Sequence, residues 1–128
     1  MSDALSANVF ERVGGVAFFE RLASAFYAGV RTDPLLLALY PQQDDLAGAE
    51  RRLALFLVQY WGGPTTYSDE RGHPRLRMRH AGYPIDESMR DRWLTHMNVA
   101  LESCVNDSEL LGVMRDYFIR AADHLRNV

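Results

Sequence analysis

The residues best equipped for chemistry are crowded into one stretch, RGHPRLRMRH at positions 71–80, where His73 and His80 stand among Arg71, Arg75, Arg77 and Arg79. The chain has four histidines, His73, His80, His96 and His124, and no two have the one-turn spacing that a helical zinc site of the HExxH type needs. His73 precedes Pro74, which biases it toward extended backbone, so it does not share a helix face with His80. A single histidine suffices for a haem iron, because the porphyrin supplies four nitrogens and leaves the protein one axial position to fill. His80 suits that task better: it ends a short predicted helix beside apolar Leu76 and Met78, and the guanidinium groups near it match the paired carboxylates at a haem edge. The plainer alternative is a surface or hydrogen-bonded histidine within a solvated arginine loop.

Other chemistries fall away on composition. All 14 basic residues are arginine, so no lysine is available for a Schiff base or a Walker-type phosphate loop. Cys104 is the single cysteine, which removes an internal disulfide, a CxxC metal site and covalent CxxCH haem attachment, and leaves it as a small core residue. The formal net charge of -3 does not favour nucleic acid as a partner. With 48% hydrophobic and 24% charged residues the chain has the balance of a globular protein. Its 128 residues suit one domain that buries roughly 65–70% of its unfolded surface, enough for a core with a pocket. The opening MSDALSANVF lacks a basic leader, and no apolar run approaches a membrane span; a cytoplasmic protein without membrane contact is expected.

The elements that must position these residues are helices. Phe19, Leu22, Ala23, Phe26, Tyr27 and Val30 mark an amphipathic helix over 15–31, and Asp33–Pro34 start a short one that stops near Tyr40 and Pro41. Asp44 or Asp45 caps the next, whose broad face includes Leu53, Phe56, Leu57 and Tyr60, and Gly62–Gly63 followed by Pro64 end it. The turn formers of PTTYSDERGH predict a loop over 64–73, after which Pro74 opens a short helix closed by Gly82 and Pro84. Asp86 caps a helix to about Cys104 carrying Met89, Trp93, Met97, Ala100 and Leu101. A last helix, capped within 106–108, carries Leu110, Met114, Tyr117, Phe118, Ala121 and Leu125. No strand is predicted, and the class is all-α.

Six segments in fixed order then resemble one family: VGG at 13–15, FYAGV at 26–30, LYP at 39–41, DLAGAERRLALFLVQYWGGP at 45–64, TYSDERGHPRLRMRH at 66–80 and RDRWLTHM at 90–97. The sequence resembles the truncated haemoglobins, and within them group II, over about residues 9 to 100. The resemblance implies a shortened globin of two helices over two, enclosing a non-covalent haem b. It places His80 at the proximal iron ligand, Tyr27, Tyr40, Ala49, Leu53 and Trp93 around the bound ligand, and Arg77, Arg79, Tyr67, Leu53, Phe56, Met89 and Trp93 against the cofactor. Tyrosine O–H and tryptophan N–H are donors suited to a polarised diatomic ligand, whereas Ala49 donates nothing and leaves a roomy entrance. For each aromatic residue, plain core packing is the competing explanation.

The resemblance implies reversible binding of dioxygen, carbon monoxide or nitric oxide with slow release, as in bacterial oxygen-binding or oxygen-transport globins. A redox enzyme, either peroxidase or nitric oxide dioxygenase, is the alternative, and a helical interaction module is a third. A reductase and a second copy of the chain are compatible partners. Residues 1–8 are expected to form a flexible extension before a single domain at 9–128. Relative to the family pattern, YPQQDDLAG carries an extra residue beside Tyr40.

Overall fold

The structure is a computed structural model that describes residues 9–40 and 45–128. The N-terminal extension expected at 1–8 and the loop at 41–44 lie outside the described residues. All regular structure within them is helical. After a helical turn at 9–12 the chain forms α1 (Val16–Val30), α2 (Pro34–Leu37), α3 (Leu46–Tyr60), α4 (Thr66–Arg71), α5 (Leu76–His80), α6 (Glu87–Cys104) and α7 (Ser108–Leu125).

Carboxylates start most of the helices in the expected way. Asp33, Asp45, Asp86 and Asp107 each accept a hydrogen bond from a first-turn backbone N–H of α2, α3, α6 and α7. Gly62, with φ 99°, turns the chain out of α3 through a left-handed conformation that a side chain would resist.

Four long helices pack as two pairs. α1 lies against both α3 and α6, and α6 pairs with α7. The α1 face that meets them carries Phe18, Phe19, Leu22, Phe26 and Val30, all buried. Trp61, at the end of α3, is 1% exposed, stacks on Phe19 and meets Phe118 of α7 edge-on. Each such aromatic removes roughly 150–250 Å² from water, so this cluster dominates the apolar stabilisation. Close approach of α1 and α6 requires Gly29: a Cβ there would stand 2.5 Å from Nδ1 of His96.

One buried carboxylate ties these layers together. Asp33 is 7% exposed and accepts from Leu36 N–H, from Nη1 of Arg92 at 3.0 Å, and from Nε2 of His96 at 2.9 Å. The His96 hydrogen bond first, and then those from Leu36 and Arg92, hold its carboxyl below the usual range against the opposing effect of burial. The start of α2 is thereby fixed to α6, two elements that both reach the cavity described below.

Two local expectations are corrected. The segment read as a loop over 64–73 contains α4, because contacts from α3 support it: Gln59 accepts from Ser68 N–H at 2.9 Å and donates to Ser68 Oγ at 2.8 Å, and Arg51 bonds both carboxylate oxygens of Glu70. Turn propensity yields here to tertiary contacts. Pro74 does not open the next helix; α5 begins at Leu76, after Arg75 in a left-handed conformation with its N–H bonded to His73 Nδ1 at 3.1 Å.

Cys104 is partly buried at the end of α6. No helix among the described residues is long and apolar enough to cross a membrane.

Candidate functional site

Side chains from α2, α3, α5, α6 and α7 enclose a cavity with about 1020 Å³ of atom-free space including its open mouth. Its lining is predominantly apolar. Leu36 and Leu39 come from α2 and its exit, Leu53, Phe56 and Leu57 from α3, Met89 and Trp93 from α6, and Phe118, Ala121, Ala122 and Leu125 from α7. The periodicity that buries each helix therefore also leaves one row of side chains facing a shared space.

His80 supplies an imidazole to this apolar lining. Its Nδ1 lies 2.6 Å from the carbonyl oxygen of Leu76, four residues back along α5. A carbonyl can only accept, so Nδ1 carries the proton and donates, leaving the lone pair on Nε2. This arrangement fixes the tautomer and ring orientation of a metal-binding histidine. His73, by contrast, is exposed and accepts the Arg75 N–H, and His96 is engaged with Asp33.

Polar donors approach the same space from two other elements. Tyr40 and Trp93 both line it, and Trp93 is wedged between Phe26 at 4.9 Å and Phe118 at 5.7 Å between ring centroids. Tyr27 stands behind Tyr40, their rings edge-on at 5.7 Å. Burial raises both phenols above their ordinary value, Tyr40 well above it. Polar contacts looser than full hydrogen bonds, from Tyr40 to Tyr27 and from Trp93 to Tyr40, partly oppose that effect on the accepting phenol in each case. Both tyrosines consequently stay neutral donors well into alkaline solution.

The remaining expected residues separate into two groups. Leu53, Phe56, Met89 and Trp93 line the cavity with His80 and Tyr40. Tyr27, Ala49, Tyr67, Arg77 and Arg79 are not among its lining residues. Tyr67 is buried edge-on against Phe56, Ala49 packs on the core, and Arg77 is exposed. Arg79 is turned to its own loop, donating from Nε to the Pro74 carbonyl at 2.8 Å and from Nη2 to that of Arg71 at 3.1 Å. The arginine that does line the cavity is Arg90, which sequence reasoning missed; its place one turn before Trp93 on α6 was the available signal. The α7 side chains, with Tyr83 and Ile85 after His80, were likewise not assigned to the site.

Comparison with known proteins gives this geometry its family. The family model described as Bacterial-like globin matches residues 8–127. The group 2 truncated hemoglobin YjbI of Bacillus subtilis is 34% identical over 113 residues, covering 88% of this chain and 84% of the relative. The chain belongs to the group II truncated haemoglobins. Among solved structures, this globin is similar to the thermostable hemoglobin of Thermobifida fusca, with 52% identity, a TM-score of 0.91, and coverage of 94% and 97% of the two chains. It is also similar to the group II 2-on-2 hemoglobin of Agrobacterium tumefaciens, with 33% identity, a TM-score of 0.87 and 93% coverage of each chain. The paired helices are thus the two-on-two globin sandwich, and membership of the family implies haem-based ligand binding. The cavity is compatible with that cofactor: an apolar slot for the macrocycle carries one imidazole with its Nε2 lone pair available.

Proposed function

We propose that this globin holds haem b non-covalently, with His80 as the axial ligand, and binds dioxygen and other diatomic ligands reversibly with slow release. The observation that carries the proposal is the 2.6 Å bond from His80 Nδ1–H to the Leu76 carbonyl, within the cavity that Tyr40 and Trp93 also line. Haem iron supplies a coordination position at which a diatomic ligand can bind. The protein's part is to hold, orient and shield. The Leu76 carbonyl orients the His80 ring and raises the basicity of Nε2. Leu36, Leu39, Leu53, Phe56 and Leu57 keep water from the macrocycle. Tyr40 O–H and Trp93 N–H, turned toward Tyr27 and Tyr40 in this arrangement, would redirect to a partly negative ligand, with Tyr27 as the group that holds the Tyr40 hydroxyl until then. Ala49, one turn before the cavity-lining Leu53 on α3, would leave room behind that wall rather than in the lining itself. Arg90 and the exposed Arg77 are the proposed partners of the propionates, while Tyr67 and Arg79 support the cofactor wall indirectly.

Residues 9–128 would act as one globin domain. Reversible binding also requires ferrous iron, so a reductase partner is part of the proposal. A peroxidase reading is less supported, because beside its tyrosines and Trp93 the polar lining offers only His80, assigned to the iron, and a salt-bridged Arg90, rather than a His/Arg acid–base pair beside the ligand position. The test is the visible spectrum of ferrous protein with and without carbon monoxide, in wild type and His80→Gly. A five-coordinate wild type that binds carbon monoxide, with altered axial coordination in the variant, is expected; equal spectra would remove His80 from the iron.

A further inference from the structure

The five-residue helix α5 is a poor support for a metal ligand on its own. One turn of helix is far below the length at which a helix stabilises itself, it has no side-chain N-cap, and it opens on Arg75 with φ 44°. Something outside α5 must fix where His80 and the residues after it sit.

That support is Asn127, just beyond the end of α7. Its Oδ1 accepts from Ile85 N–H at 2.8 Å, and its Nδ2 donates to the Tyr83 carbonyl at 2.8 Å and to the His80 carbonyl at 3.3 Å. Its own backbone N–H donates to the Ile85 carbonyl at 2.9 Å, and Val128 N–H reaches the same oxygen at 3.3 Å. The amide orientation follows from the network. Reversing it would set NH₂ against Ile85 N–H and the oxygen against two carbonyls. One acceptor and two donors in a single short side chain meet one N–H and two C=O groups, a demand asparagine meets and aspartate does not. His80, Tyr83 and Ile85, the residues gripped, all line the cavity, as does Leu125 two residues before Asn127.

We propose that Asn127 is a positioning residue for the axial histidine: its side chain clips the 80–85 segment to the end of α7 and so sets the height and tilt at which His80 meets the iron. The inference rests on the assignment of His80 as axial ligand. Asn127 is exposed, so water replaces its hydrogen bonds once they are lost, and the expected cost falls on geometry at the iron more than on global stability.

The experiment uses haem-loaded full-length protein. Two quantities are read: the iron–histidine stretching band of the ferrous, ligand-free form by resonance Raman, and the rate of haem transfer to excess apomyoglobin. Asn127→Ala is expected to shift or broaden the band and to speed haem loss about three- to tenfold, the weight of one or two hydrogen bonds. Asn127→Asp, which keeps the acceptor for Ile85 N–H but turns an oxygen toward two carbonyls, is expected to do at least as much. Arg126→Ala is the control for the chain end, since its guanidinium reaches only the Val128 carbonyl, and it should leave both readings near wild type. An unchanged band in both Asn127 variants, or changes matched by Arg126→Ala, overturns the proposal. If His80→Gly leaves the axial spectrum intact, it is the assignment of His80 that has failed, and the positioning role falls with it.

Discussion

Trp93 and His80 line the same cavity but are held by opposite means. Trp93 sits in a ladder of rings, flanked by Phe26 and Phe118, with Trp61 and Tyr117 continuing it on the far side of Phe118. His80 sits on a single turn of helix, oriented by the Leu76 carbonyl and followed by a segment tied to Asn127. Packing is the sum of many weak contacts and yields gradually. A few directed hydrogen bonds define an orientation sharply, and each is a point of failure. The indole side of the cavity is therefore built for persistence, and the imidazole side for defined geometry that small changes can retune.

The sharpest break in that comparison is His80→Gly, which should abolish protein-derived axial coordination; added imidazole should restore the spectrum by occupying the vacated space. On the packed side, Phe118→Ala removes a ring shared by Trp61 and Trp93 and should cost roughly 3–5 kcal/mol in chemical denaturation. Loss on both counts at once, with haem absent as well as stability, would show that the two sides are less separable than this.

A third change acts where the layers join. Asp33→Asn keeps an acceptor for α2 but loses the charge facing Arg92 and His96, and should cost on the order of 2 kcal/mol near neutral pH. The sign of the pH dependence follows from the depressed carboxyl of Asp33. Its stabilisation is complete above the ordinary aspartate value of 3.8 and is lost as pH falls through the lower folded value. Acid titration of stability should thus be steeper in the wild type than in Asp33→Asn.

Smaller effects test the donors. Trp93→Phe keeps most of the packing and deletes one N–H, and should speed dioxygen release about five- to tenfold in stopped flow. An unchanged rate would leave Trp93 with packing alone. The smallest expected effect is that of Arg77→Ala: as an exposed propionate partner outside the lining, it should alter stability by no more than about 0.5 kcal/mol and speed haem loss about two- to threefold, the weight of one surface charge pair.

The long helices were legible because their apolar residues recur with helical period and a carboxylate stands before most of them. The candidate ligand residues were legible through the resemblance, with His80 also favoured by its neighbours. What escaped was set by contacts between distant positions. Nothing local to TYSDER announces a helix supported by Gln59 and Arg51, and nothing in PRLRMRH says that Arg79 serves its own loop carbonyls while Arg90 reaches the cavity. Asn127 carried no signal at all, since its partners lie more than forty residues away.

The placement of the tryptophans has an optical consequence. The chain contains 2, and Trp93 lies in the cavity wall while Trp61 is one ring away through Phe118. Both indoles would stand close to a bound porphyrin and transfer excitation to it, so the intrinsic fluorescence of this globin should be dark when loaded and bright when empty. Cofactor uptake and loss can then be followed in real time without a label, from emission that arises where the occupant sits.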